Sequence, residues 1–201
     1  MLAVNANVTR GRLALSAEIG DEGCICLSGE NGSGKTTLLS VITGDLRLER
    51  GFVKVDSVDV TRLPPEERGI VLVNPDSFIP HLEVERHLRW GAGARRVPLN
   101  DMEVSELKHA LGISYSGRVD KLSLGMRERV ALATALLSRP SLILVDEAFS
   151  NIDHRVEFMS AYRAQCAARR IDMVFTTQQQ SDAELADHHY RMVDGVSERV
   201  F

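Results

Sequence analysis

Apolar and polar residues follow two different periods along this chain of 201 residues, and the change of period marks out its elements. Residues 2–15 alternate weakly, as a half-exposed strand does. Residues 24–28 form an apolar run that predicts a strand, and a helix predicted from Lys35 to about Ile42 stops at Gly44. Val53, Val55, Val58 and Val60 alternate around Asp56-Ser57 and predict a hairpin. Ile70, Leu72 and Val73 give a further strand after the polar, proline-containing residues 63–67.

From Asn74 to about Ser123 the spacing becomes helical. Val84, His87 and Leu88, then Val104, Leu107 and Leu111, fall on single faces, with Asp101 as the expected N-cap and Gly112 as the stop. Trp90 and the pair Arg95-Arg96 lie at the edge of this stretch; the tryptophan is expected in the core and the arginines in solvent. Ser123 caps a long helix whose apolar face includes Val130, Leu132, Ala133, Leu136 and Leu137, and Pro140 ends it. Leu142, Ile143, Leu144 and Val145 are apolar on both faces, which predicts a buried parallel strand. A helix over 155–168, a strand over 173–176, a helix opening with a Ser181…Glu184 capping box and a strand over 190–193 complete an α/β alternation.

Between the first apolar strand and the first helix lies Gly29-Glu30-Asn31-Gly32-Ser33-Gly34-Lys35-Thr36, a complete phosphate-binding loop in the context such a loop requires. Its glycines let successive N–H groups converge on phosphate oxygens. The helix behind it adds the positive end of its dipole. Lys35 brings a mobile charge to the β- and γ-phosphates, Thr36 a hydroxyl for Mg²⁺, and Thr37 a contact with a phosphate nearer the sugar. Asn31, Gly32, Ser33 and Gly34 complete the ligand set. Only four lysines occur, Lys35, Lys54, Lys108 and Lys121, against twenty arginines, so Lys35 is not surface filler. The chain therefore binds a nucleoside triphosphate.

Composition narrows the rest. Hydrophobic residues at 44% and charged ones at 26% suit one compact α/β unit, and a net charge of −4 argues against nucleic acid as the main partner. No run of eighteen apolar residues exists and no basic-then-apolar leader opens the chain, so a cytosolic protein without a membrane span is expected. Cys24, Cys26 and Cys166 lack metal-ligand spacing and read as small buried groups. The six histidines are scattered and read as structural. Asp146 and Glu147 end the clearest buried strand. Neighbouring strand residues point opposite ways, so Asp146 can face Mg²⁺, through water, while Glu147 polarises an attacking water.

With these residues in place, the chain resembles the ATP-binding cassette family, the nucleotide-binding subunits of ABC transporters, over nearly its whole length. GENGSGKT is similar to the Walker A loop and LILVDE to the Walker B strand with its glutamate. LSLGMRERVALATAL, residues 122–136, resembles the family signature, and Ser150-Asn151-Ile152-Asp153 resembles the D-loop. The resemblance implies an α/β fold: a phosphate-loop NTPase core with a RecA-like, mostly parallel sheet, an N-terminal antiparallel portion and a helical insertion. Residues 1–73 and 130–201 are assigned to the core and 74–129 to the helical subdomain, all within one cassette. It also implies a head-to-tail dimer, a homodimer by expectation, with Mg²⁺ and two ATP molecules between the subunits. Ser123 and Gly125 then grip the γ-phosphate in trans, since a hydroxyl, a close backbone and a helix N-terminus make a second anion surface. ATP joins the subunits, hydrolysis releases them, and the motion drives an integral-membrane permease from the inner face of the cell membrane.

Several positions depart from the family pattern. Leu124 and Met126 replace a signature glycine and glutamine, a variant similar to that of some exporters. Asn74 replaces the Q-loop glutamine that reaches the metal, Gln178 replaces the switch histidine, and Ala148 replaces a proline. No aromatic residue precedes Phe52, so the adenine-stacking side chain is missing, a loss of roughly 1–3 kcal/mol by analogy with other base stacking. Slow turnover is the expectation, and a slow or non-hydrolytic regulatory cassette is the alternative. Residues 63–70 and 79–84 resemble importer ATPases for molybdate, tungstate, sulfate, polyamines or ferric iron. The chain's size and its Asn31-Gly32-Ser33-Gly34 loop are similar instead to compact exporter subunits, so an exporter remains the second choice. The permease contact is expected between Asn74 and Arg89.

Overall fold

The computed structural model describes residues 1–11 and 13–201. In chain order its elements are β1 (Leu2–Arg10), β2 (Leu13–Asp21), β3 (Cys24–Ser28), α1 (Lys35–Thr43), β4 (Arg50–Val55), β5 (Val58–Asp59), β6 (Ile70–Val73), α2 (Val84–Ala94), α3 (Asp101–Ala110), α4 (Leu124–Leu137), β7 (Leu142–Val145), α5 (Arg155–Ala168), β8 (Asp172–Thr177), β9 (His188–Val193) and β10 (Val196–Arg199). They divide into two compact units. The first contains residues 1–72, 141–146 and 172–201, and the second contains residues 73–140 and 147–171.

The first unit is built on a mixed sheet in the order β5-β4-β1-β2-β10-β9-β3-β8-β7-β6. The weak alternation near the N-terminus becomes a long antiparallel hairpin, registered from Leu2 opposite Asp21 to Arg10 opposite Leu13. Leu2, Val4, Ala6 and Val8 of one strand and Leu15, Ala17 and Ile19 of the other are buried, while the residues between them face outward. Asp56 and Ser57 both have positive φ, 50° and 67°, which gives the β4–β5 hairpin its tight turn. On the other side β9, β3, β8 and β7 run parallel, and all five residues of β3 and all four of β7 are buried. Such both-face burial explains why these strands read as continuous apolar runs. The C-terminal hairpin β9–β10 extends past the strand expected at 190–193, because Asp194 (φ 47°) and Gly195 (φ 85°) turn the chain back on itself.

In the second unit α4 is the central helix, with every residue from Val130 to Leu137 buried. It packs on α2, and an added Cβ at Gly91 would stand 3.0 Å from Thr134, so the two helices meet closely. Phe149, Phe158 and Tyr162 form an aromatic cluster, and Tyr162 Oη donates to the Leu132 carbonyl at 3.1 Å. These contacts shift the boundary relative to the sequence reading. Residues 130–137 and 155–168, assigned there to the core, fall within this second unit.

Three local expectations are corrected. Asn100, not Asp101, caps α3: its backbone is extended and its Oδ1 accepts from Glu103 N–H at 2.7 Å, leaving Asp101 as the first helical residue. The Ser181…Glu184 box does not form; residues 180–185 make a 3₁₀ helix without a side-chain cap, and Asp182 instead accepts from Thr177 Oγ1 at 2.6 Å. Trp90 is 54% exposed rather than packed in the core, since α2 buries Val84, His87, Leu88, Gly91 and Ala92 on its other side. Arg95 and Arg96 are exposed as expected, Gly112 (φ 65°) ends α3, and all three cysteines are buried, with no disulfide among the described residues. No helix among the described residues is long and apolar enough to cross a membrane.

Candidate functional site

Every phosphate-loop residue lies at the C-terminal end of β3, the edge at which ligands bind in α/β sheets. Lys35 folds back over the loop, with Nζ donating to the Gly29 carbonyl at 2.7 Å and the Glu30 carbonyl at 2.9 Å. Its charge is therefore held at the start of the loop, and α1 follows with first-turn N–H groups that have no carbonyl one turn earlier to bond. Gly29 (φ 150°) is forced by its surroundings, because an added Cβ would stand 2.5 Å from the Met192 carbonyl oxygen and 2.7 Å from Ser33 Oγ. The loop rests on the β9–β10 turn, where Gly195 N–H donates to the Ser33 carbonyl at 2.9 Å. Ser33 Oγ is buried and has no hydrogen-bond partner among the described residues. Such an orphan is satisfied by a ligand or water rather than by the fold. Thr37 is buried and Asn31 and Gly32 are exposed.

Asp146 is fixed from two sides. Thr36 Oγ1 donates to its Oδ2 at 2.8 Å and Thr176 Oγ1 to its Oδ1 at 2.7 Å. The parallel register explains this, since Val145 lies opposite Phe175 and the next residues of the two strands therefore meet at the same edge. Thr36 and Asp146, expected together at a metal, are adjacent here. Gln178 is exposed in the bend that follows β8. A cleft of about 610 Å³ in this unit is bordered by Gly44, Arg47, Arg50, Arg62 and Arg68, and none of the loop residues lines it.

The remaining expected residues belong to the second unit. Ser123 caps α4, with Oγ accepting from Met126 N–H at 3.3 Å. Gly125 is required by contact: an added Cβ would stand 2.3 Å from the Asn151 carbonyl oxygen. Three residues on, Glu128 is 1% exposed, and its two oxygens accept from Asn151 Nδ2 at 2.8 Å and Asn151 N–H at 3.3 Å. Burial raises the pKa of its carboxyl, and the two bonds from Asn151 oppose that shift. Arg129 donates to the Asp153 carbonyl at 2.7 Å and to the Leu111 carbonyl at 2.9 Å, and its guanidinium lies 4.6 Å from the Phe158 ring centre. Glu147 has φ 57°, a conformation rare for a residue with a side chain, and its carbonyl accepts from Ser150 N–H at 3.2 Å and Ser150 Oγ at 2.6 Å. Asn74 closes a local turn, its Oδ1 accepting from Asp76 N–H at 3.0 Å and Ser77 Oγ at 2.9 Å.

The contacts of four residues escaped the sequence reading. Thr176 was visible only as a strand end, although its place beside Asp146 follows once β7 and β8 are paired. Gly195 supports the loop at Ser33 from a distant part of the chain, and nothing local marks it. Glu128 and Asn151 were read as part of an amphipathic helix and of a loop motif, with no sign that they bond to each other.

Comparison with known proteins shows the family. A family model described as ABC transporter matches residues 14–150. A molybdate/tungstate import ATP-binding protein of Archaeoglobus fulgidus is 36% identical over 165 residues, covering 81% of this chain and 68% of the relative. A putative 2-aminoethylphosphonate import ATP-binding protein of Salmonella typhimurium is 32% identical over 203 residues, covering 96% of this chain and 54% of that relative. Among solved structures, a putative ABC transporter ATP-binding protein from Pyrococcus furiosus superposes with a TM-score of 0.83 at 20% identity, covering 95% of this chain and 96% of the other, a likeness of fold.

Proposed function

The chain belongs to the ABC transporter family as an ATP-binding, ATP-hydrolysing cassette, and from that premise we propose that it energises an importer and completes its active sites only as a dimer. The observation that carries the reading is the joint placement of Lys35 over the phosphate loop and of Asp146 between Thr36 and Thr176. Amides of the loop and the N-terminus of α1 take up phosphate charge, Lys35 bridges the β- and γ-phosphates, and the orphaned Ser33 hydroxyl has a phosphate oxygen to donate to.

Mg²⁺ fits the same place. Thr36 Oγ1 and the Asp146 oxygens are the hard oxygen donors this ion prefers, and Asp146 keeps spare lone pairs for a bound water. When bound, the ion neutralises charge developing on the β- and γ-phosphates. Glu147 holds and polarises the water that attacks the γ-phosphorus, and Gln178 donates a hydrogen bond to the γ-phosphate without carrying charge. Asn74 is the further residue that would serve the ion, and its Oδ1 is engaged by Asp76 N–H and Ser77 Oγ within its own turn. Ser123 and Gly125 of a second copy close over the triphosphate from the N-terminus of α4. The dimer drives an integral-membrane permease from the cytoplasmic side. Import is favoured because two of the similar proteins named above are described as import ATP-binding proteins and because residues 63–70 and 79–84 resemble importers.

Glu147→Gln tests the reading. It is expected to abolish hydrolysis and to give a dimer on sizing in Mg-ATP that separates without nucleotide. A monomer under both conditions, alone and with the permease, while Mg-ATP still binds, would remove the support for the sandwich. A second reading, a nucleotide-gated regulatory cassette, is favoured by the engagement of Asn74 within its own turn. ATPase activity that Glu147→Gln abolishes excludes it.

A further inference from the structure

Glu128 is a carboxylate with 1% of its surface exposed, and among the described residues no arginine, lysine or histidine forms an ion pair with it. An unpaired buried carboxylate is costly, so the fold is retaining something that an apolar residue would not supply. What it retains is two bonds to a single residue, the Asn151 N–H and the Asn151 side-chain amide. Both partners are donors, so the position calls for an acceptor at each oxygen.

Asn151 stands between two functional segments. Its carbonyl rests against Gly125 in the first turn of α4, so close that no Cβ fits between them. The residue before it, Ser150, bonds twice to the Glu147 carbonyl. Arg129, one residue past Glu128, holds the Asp153 carbonyl at the far end of the same loop. Residues 147–153 are therefore attached to α4 at Gly125, Glu128 and Arg129, all within its first two turns.

We propose that Glu128 is a positioning residue for hydrolysis: by gripping Asn151 from α4 it makes the Ser123–Gly125 turn and the segment that carries Glu147 move as one block. In the dimer proposed above, on which this inference rests, the turn of α4 touches the partner's triphosphate while Glu147 serves the chain's own. Closure of one site then sets the carboxylate of the other. The side-chain bond need not have one fixed polarity. A Gln at 128 can accept from the Asn151 N–H and donate to an Asn151 amide turned end for end, whereas an Asp at 151 presents a second carboxylate to Glu128.

This asymmetry supplies the test, measured as steady-state ATPase together with equilibrium binding of Mg-ATP. Asn151→Asp is expected to lower kcat about tenfold or more with Mg-ATP affinity unchanged, as losing a bond to a charged group does. Glu128→Gln alone stays within about twofold of the parent, and Glu128→Gln with Asn151→Asp returns to that range, because both bonds re-form with the roles exchanged. An Asn151→Asp variant that hydrolyses normally would overturn the proposal. So would failure of Glu128→Gln to rescue it, or a fall in Mg-ATP binding in step with the rate, which would show a general loss of folded protein. The two readings fail separately: hydrolysis insensitive to Glu147→Gln defeats the proposed function, while the exchange pattern reports on Glu128 alone.

Discussion

The two units hold their functional groups by opposite means. In the first, Lys35 is held by carbonyls within six residues of it, and Asp146 by two short hydroxyl side chains, Thr36 in the first turn of α1 and Thr176 near the end of β8. In the second, polar side chains on the helices reach to backbone or side-chain partners on other elements. Glu128 and Asn151 are 23 residues apart, Arg129 and Asp153 24, and His87 and Thr134 47. A site built from contiguous backbone is a motif, and it binds phosphate by default. A site built from buried polar side chains depends on neighbouring helices staying in place, and so it can report movement.

The contrast can be broken first at Lys35. Lys35→Ala is expected to weaken Mg-ATP binding by about a hundredfold or more, the scale of removing a preorganised charge from a phosphate site. The thermal stability of the protein should hold within a few degrees, and a calorimetric titration beside a melting curve checks both. Gly125→Ala sharpens it from the other side. Its Cβ would meet the Asn151 carbonyl at 2.3 Å, so stability should fall by about 1–3 kcal/mol and hydrolysis with it, while Mg-ATP binding to the folded protein stays at the parent value.

Thr176→Val is expected to act within the first unit only. It removes one donor to Asp146 and leaves Thr36 in place, so activity should fall most at limiting Mg²⁺ and recover as Mg²⁺ is raised, by about tenfold for one charged hydrogen bond. The smallest effect is on acid stability. His87 Nε2 accepts from Ile79 N–H at 3.1 Å, which leaves Nδ1 protonated toward Thr134, and burial holds the pKa of the ring below its ordinary value. The native state therefore resists a proton that the unfolded chain binds. This stability is present above about pH 6.5 and is lost as pH falls below it, at no more than about 1.4 kcal/mol per pH unit. Glu128 acts in the opposite sense, because its raised pKa lets the native state bind a proton first. His189, buried beside Ser28 in the first unit, has the same sign as His87. His87→Gln should flatten the fall in urea midpoint between pH 7 and pH 5 without removing the part due to His189.

The first unit was the more legible. The apolar runs at 24–28 and 142–145 became central strands, because burial on both faces leaves its mark within a few residues; in the second unit Ser123 alone of the expected caps proved true. The N-terminal hairpin was only half visible, since nothing in the weak alternation announced where the chain would turn. The N-cap at Asn100 and the uncapped 3₁₀ helix at 180–185 were missed because adjacent polar residues compete for one cap, and backbone angles decide the winner. Trp90 was expected in the core, but its position on α2 turns it away from the buried face.

For this protein the order of residues alone determined a triphosphate loop, two strand-end carboxylates and membership of one nucleotide-binding family, because each rests on interactions between near neighbours in the chain. Tertiary structure alone decided that Thr176 braces Asp146, that Gly195 supports the loop and that Glu128 holds Asn151. Those pairings arise where distant segments are buried together, and in that setting a polar atom must find whichever partner the packing brings to it.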